Sequence, residues 1–124
     1  MRDVVFSAML PLILGDGKAA RQTAWRFFAS YGVRSTVMDK KRSFGSFFCP
    51  FFSFRRLSPT DSDEFILMSL DRFADENPDL TVIMIPSDGF YREFTERNLA
   101  LLESRFIIRS HETACNVRPC KNTQ

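Results

Sequence analysis

Residues 11–20, Pro-Leu-Ile-Leu-Gly-Asp-Gly-Lys-Ala-Ala, decide how this chain is interpreted. An apolar run ends at Leu14, two glycines follow within three residues, and an amphipathic helix pattern begins directly after them. Glycine lets the backbone bend sharply and approach a ligand, and a helix N-terminus offers unpaired N–H groups to an anion. The stretch therefore predicts a strand, a glycine turn and a helix, which is how α/β sheets commonly begin.

Strand and helix patterns alternate along the rest of the chain. The first helix is expected to end at Gly32, and a second to begin with Thr60 or Asp61 as its N-cap and to close at Asn77. Further strands are predicted over residues 33–38, 54–57, 80–85 and 105–108, with a third helix between the last two. Right-handed crossovers then predict a Rossmann-like α/β fold: an open, mainly parallel five-stranded sheet in the order 3-2-1-4-5, with helices on both faces.

Composition indicates an ordinary globular protein. The 124 residues are 44% apolar and 26% charged, so we expect one domain over residues 1–112 and a polar, disordered tail over 113–124. A net charge of +2 argues against a nucleic-acid partner, and no apolar run is long enough to suggest a membrane partner. Three irregularly spaced cysteines favour free thiols and a cytoplasmic location.

Motifs for catalysis or metal binding are not evident. No G-x-S-x-G elbow is present, and Ser87 is expected only to cap the third helix. Cys115 and Cys120 are too far apart for the usual two-residue metal spacing, and His111 is the one histidine. We therefore predict no catalytic residue and no metal site in this chain.

The glycine turn also matches the loose dinucleotide pattern G-x-G-x-x-G/A. Asp39 falls at the end of the second strand, where such sites place an acid for the ribose hydroxyls, and residues 40–42 (Lys-Lys-Arg) would suit a ribose phosphate. Asp16, however, puts a carboxylate where the pyrophosphate would lie. A stand-alone nucleotide-binding module is therefore an alternative interpretation.

Two loops are predicted to meet where the strand order reverses, at the C-terminal ends of strands one and four. Open α/β sheets bind their ligands in that crevice. The candidate ligand-binding residues are Gly15, Asp16 and Gly17 in the first loop and Ser87 and Asp88 in the second.

Four stretches carry a resemblance to a known family: residues 12–17 (LILGDG), 24–28 (AWRFF), 31–35 (YGVRS) and 80–91 (LTVIMIPSDGFY). In order and spacing they resemble the domain that precedes the ATP-grasp fold in carboxylate–amine ligases, the D-aspartate ligase-like group especially. That family has a glycine turn, a helix leading to Tyr-Gly-Ile/Val, and a fourth strand ending in Ile-Pro-Cys-Gly-Asp. Here residues 85–89 read Ile-Pro-Ser-Asp-Gly, without the cysteine and with the glycine displaced.

The resemblance implies the N-terminal, substrate-side domain of an enzyme that joins an amine to a carboxylate through an acyl phosphate. ATP and magnesium would bind in the two domains that follow in the family. Those domains lie outside this chain, so the resemblance implies no cofactor here and an isolated polypeptide that is inactive. The five candidate residues would border a small, amino-acid-like substrate: Asp16 or Asp88 would hold its amino group, and turn amides its carboxylate.

Phenylalanine is unusually frequent, with 14 residues, six of them between positions 44 and 54. Exposed apolar patches tend to mark interfaces, so this segment is predicted to contact the missing ATP-grasp domain or a second copy of the chain. The candidate interface residues are Phe44, Phe47, Phe48, Phe51 and Phe52. Filling of the core beneath a long loop is the other explanation, and a homodimeric interaction domain is a third interpretation of the whole chain. Trp25 and Phe28 are expected to pack toward the sheet.

Overall fold

The computed structural model describes residues 9–42, 48–57 and 62–109, and it has the predicted architecture. Five strands form one parallel sheet in the order β3-β2-β1-β4-β5. The strands are β1 (Met9–Leu14), β2 (Ser35–Asp39), β3 (Phe52–Arg56), β4 (Thr81–Pro86) and β5 (Ile107–Ile108). The helices are α1 (Lys18–Tyr31), α2 (Asp63–Glu76), α3 (Gly89–Arg97) and α4 (Leu99–Glu103).

Strand β1 lies at the centre of the sheet and is covered on both faces. Leu12 is in register with Thr36 of β2 and Met84 of β4. Alternate side chains of β1 enter different clusters: Leu12 and Leu14 pack with α2 and α3, whereas Ile13 packs with α1. The helices therefore cover both faces, as predicted.

The two faces are covered unequally. One carries α2, α3 and α4, which bury Ile66, Leu70 and Phe94 against the strands. The other carries α1, which presents Ala20, Ala24 and Phe27 to the sheet. The β2–β3 connection has no α-helix in its described part, and its last residues pack beside α1 on that second face.

The helix ends agree with the predicted residues at Gly32 and differ from them at the start of α2 and within the third helix. Gly32 ends α1 in the left-handed conformation, with φ of 67°, as predicted. Ser62 caps α2 by accepting a hydrogen bond from the Glu64 N–H, so the cap lies after the predicted Thr60 or Asp61. The predicted third helix is interrupted at Asn98, whose φ of −117° is not helical, and α4 begins at the next residue.

Some predictions fall outside the described residues. These are the interface positions Phe44 and Phe47, the tail at 113–124, and the isolated His111, Cys115 and Cys120. Within the described ranges, no helix combines the length and apolar character needed to cross a membrane.

Candidate functional site

The two predicted ligand loops are in contact at the C-terminal edge of β1 and β4. Gly15 has a φ of +105°, a conformation that residues with a Cβ rarely adopt. A Cβ at this position would lie 2.6 Å from Ser87 Oγ and 2.8 Å from Asp88 Oδ2. The first loop therefore lies so close to the second that only glycine fits at position 15, because a Cβ there would overlap Ser87 and Asp88.

Ser87 joins the two loops through the backbone. Its N–H and its Oγ both donate to the Leu14 carbonyl, at 2.9 and 2.8 Å, and the residue is buried. The hydroxyl is thus engaged in holding β4 to β1. Ser87 was expected to cap the third helix, but the cap of α3 is Asp88, whose Oδ1 accepts a hydrogen bond from the Tyr91 N–H at 3.0 Å.

The Asp39 carboxylate connects three separate elements at this edge. Its Oδ2 accepts the Asp16 N–H at 2.8 Å, and its Oδ1 accepts the Lys40 N–H at 2.7 Å and the Tyr91 hydroxyl at 2.9 Å. The glycine turn, the end of β2 and α3 are therefore tied to one side chain. A ribose would have to compete with these three donors, which weighs against the dinucleotide interpretation.

Sequence reasoning missed Tyr91 as a partner of Asp39. Tyr91 is 1% exposed, and its burial, followed by its hydrogen bond to Asp39, raises the pKa of its phenol well above the ordinary value. The phenol therefore stays protonated and donates at physiological pH. Beside this pair, the Lys40 Nζ lies 4.7 Å from the centre of the Phe90 ring, a cation–π contact between the residue that follows β2 and α3.

The five candidate residues differ in what they leave accessible. Gly15, Asp16 and Ser87 are buried, with Asp16 9% exposed. Gly17 and Asp88 are exposed, and the space beside the Gly17 Cα is open to 4 Å. Gly17 is also the N-cap of α1 and brings no side-chain oxygen to the first turn. The accessible surface thus combines a helix N-terminus, which favours an anion, with the Asp88 carboxylate, which favours a cation.

The aromatic candidates separate into core and surface. Phe52 is 2% exposed and fills the core under α1, so it belongs to the packing explanation rather than to an interface. Phe48 is 69% exposed, and Phe51 is half-buried against Trp25. The expectation for Trp25 and Phe28 is wrong: they are 52% and 40% exposed, because Ala24 and Phe27 occupy the positions of α1 that face the sheet.

A cavity of about 280 Å³ lies at the opposite end of the sheet, between the end of α2 and the start of β4. Arg105 in its wall pairs with Asp75 at 2.7 Å. The cavity is therefore separate from the predicted crevice and includes none of its five residues. No cluster of three or more histidine, cysteine or acidic side chains suited to a metal ion occurs in the described ranges.

The accessible groups at this edge of the sheet favour ligands of both signs. Comparisons of the chain with protein-family models, with curated proteins and with solved structures found no match. The functional argument therefore depends on the residues and their geometry.

Proposed function

We propose that this chain is the substrate-side domain of an ATP-dependent carboxylate–amine ligase and holds a small, amino-acid-like substrate at the edge of β1 and β4. The observation that carries the proposal is the contact between the glycine turn and the Ser87–Asp88 loop across Gly15. The resemblance assigns the substrate to these two loops, and they adjoin at the point where the strand order reverses.

The accessible groups suit a ligand with both charges. The uncapped first turn of α1, beside the exposed Lys18, would receive a carboxylate, and Asp88 would receive an amino group. Asp39, Tyr91 and Ser87 would act as positioning residues, because their polar atoms bind the protein itself. ATP and magnesium would be supplied by other domains, and a cytoplasmic location is part of the same proposal.

Titration of the isotope-labelled 124-residue chain with a panel of amino acids and dicarboxylates tests the proposal. We expect the backbone amide signals of Gly17 and Gly89 to shift with a saturable dependence on at least one amino acid. ATP alone should leave both signals in place. The Asp88→Asn variant should weaken binding about tenfold or more, since it removes the charge that pairs with the amine while asparagine keeps the cap of α3.

Asp79→Asn is the matched control, because Asp79 is an exposed acid before β4, at the other end of the strand. It should bind like the unsubstituted chain. Saturable shifts with a dinucleotide at residues 40–42, and none with amino acids, would favour the nucleotide-binding alternative. A panel without any shift at either loop would contradict the proposal.

A further inference from the structure

Helix α1 carries an exposed aromatic cluster on its outer side. Trp25 and Phe28 are 52% and 40% exposed, and their ring centroids lie 6.1 Å apart. The half-buried Phe51 ring packs against both, at 5.4 Å from Trp25 and 6.3 Å from Phe28. The two exposed rings therefore rest on a packed base and stand out from the sheet. We call Trp25, Arg26 and Phe28 the α1 surface.

The part of the chain that contains the α1 surface is strongly basic. Residues 17–57, which include α1, β2 and β3, contain nine basic residues and Asp39 as their one acid. Asp39 lies at the C-terminal edge of the sheet, where its carboxylate accepts three hydrogen bonds from the protein. Arg26 is exposed and has no ion pair within the described ranges. The positive charge of the α1 surface is therefore not offset by a neighbouring acid of its own segment.

Acidic residues are concentrated on the other face of the sheet. Helices α2, α3 and α4 cover that face and contain eight acidic and three basic residues. Helix α1 contains three basic residues and no acidic one. Charge is thus segregated between the two faces, and the resulting field would turn α1 toward an anionic partner.

We propose that the α1 surface binds the anionic surface of a lipid bilayer. Trp25 and Phe28 would enter the boundary between headgroups and acyl chains, and Arg26 would remain at the level of the phosphates. A helix that lies in this boundary places its apolar side about 5–10 Å deep, and tryptophan is enriched there because its ring is apolar and its N–H is polar. A bilayer presents anions directly above an apolar layer, which matches a surface with a cation beside apolar rings.

The shape of the α1 surface favours a bilayer over a nucleic-acid strand. Single strands bind in basic grooves whose aromatic rings stack with successive bases. The outer side of a helix is convex, and the rings of Trp25, Phe28 and Phe51 meet at interplanar angles of 35°, 40° and 72° rather than in parallel. Neither Trp25 nor Phe28 belongs to the five candidate residues of the crevice, so membrane binding and substrate binding can be tested apart.

Tryptophan fluorescence tests the proposal directly, because Trp25 is the one tryptophan of the chain. With vesicles of equal parts phosphatidylserine and phosphatidylcholine, we expect the emission to shift to shorter wavelength and brominated acyl chains to quench it. Vesicles of phosphatidylcholine alone should bind at least about tenfold more weakly, since several cations each contribute to binding an anionic surface. Added salt should weaken binding to the anionic vesicles.

Co-sedimentation of variants with the anionic vesicles locates the contact. Trp25→Ser with Phe28→Ser should weaken binding at least about tenfold, because two apolar rings are lost. Arg26→Gln should weaken it about fivefold. The matched control is Phe65→Ser with Met68→Ser, which removes exposed apolar side chains from α2 on the other face and should bind like the unsubstituted chain. All the substituted side chains are exposed, so the fold should persist, which circular dichroism checks.

Four results would overturn the proposal. The first is a Trp25 emission that anionic vesicles leave unchanged, and the second is equal binding to neutral and anionic vesicles. The third is a shift with a single-stranded oligonucleotide and none with vesicles, which would assign the surface to nucleic acid. The fourth is an emission that shifts with protein concentration alone and not with vesicles, which would assign the surface to self-association.

Discussion

At the scale of single residues, Gly15 and Gly17 make a matched pair within one turn. Gly15→Ala should lower the free energy of unfolding by about 2–4 kcal/mol, because alanine is strained at a φ of +105° and its Cβ would collide with Ser87 and Asp88. Gly17→Ala should lower it by less than about 1 kcal/mol, because its φ of −130° is ordinary and the space beside it is open. Urea unfolding of the two variants measures the difference. Equal losses would mean that the two loops are not in contact.

At the scale of elements, Asp63 ties the start of α2 to the end of α3. Its carboxylate accepts hydrogen bonds from Arg97 at 2.9 and 3.1 Å and from the Asn98 amide at 2.9 Å. The Arg97 hydrogen bonds, followed by that from Asn98, lower the pKa of Asp63 below its ordinary value. A carboxylate with a lowered pKa stabilises the fold above its unfolded pKa, and this contribution is lost as the pH falls through the folded value.

The Asp63→Asn variant should therefore be less stable than the unsubstituted chain at pH 7, by about 0.5–1 kcal/mol for a largely exposed ion pair. The gap should close as the pH falls below about 4, where the unsubstituted chain also loses its charge. Denaturant unfolding between pH 7 and pH 2 measures it, with Asp79→Asn as a control that should show no gap. A gap that is constant with pH would show that the charge of Asp63 is not the cause.

At the scale of the whole molecule, the position of each strand should determine its protection from amide exchange. The amides of β1 and β4 should exchange slowest, since both strands are paired on two sides and buried on two faces. Those of β5, a two-residue strand at the edge, should exchange at least tenfold faster. Hydrogen exchange followed by NMR measures both. Equal rates in β4 and β5 would contradict the sheet order.

Sequence patterns predicted the fold because they depend on local features. The apolar runs of β1 and β4 predict strands that are covered on both faces, and Gly32 predicts the left-handed end of α1. The order of the strands then follows from the rule that crossovers between parallel strands are right-handed. The hydrogen bond between Tyr91 and Asp39 joins residues 52 positions apart and has no local signal. The outward direction of Trp25 was missed because a shift of one residue on a helix turns a side chain by about 100°.

The strand order also has a consequence for the synthesis of the protein on the ribosome. The carbonyl of Leu14 in the central strand accepts a hydrogen bond from the hydroxyl of Ser87, which lies 73 residues later in the chain. During synthesis from the N-terminus, β1, β2 and β3 leave the ribosome while the remaining edge of β1 has no partner to pair with. An unpaired apolar strand is an aggregation risk until its neighbour arrives. The nascent chain therefore passes through a vulnerable interval that ends only when β4 emerges.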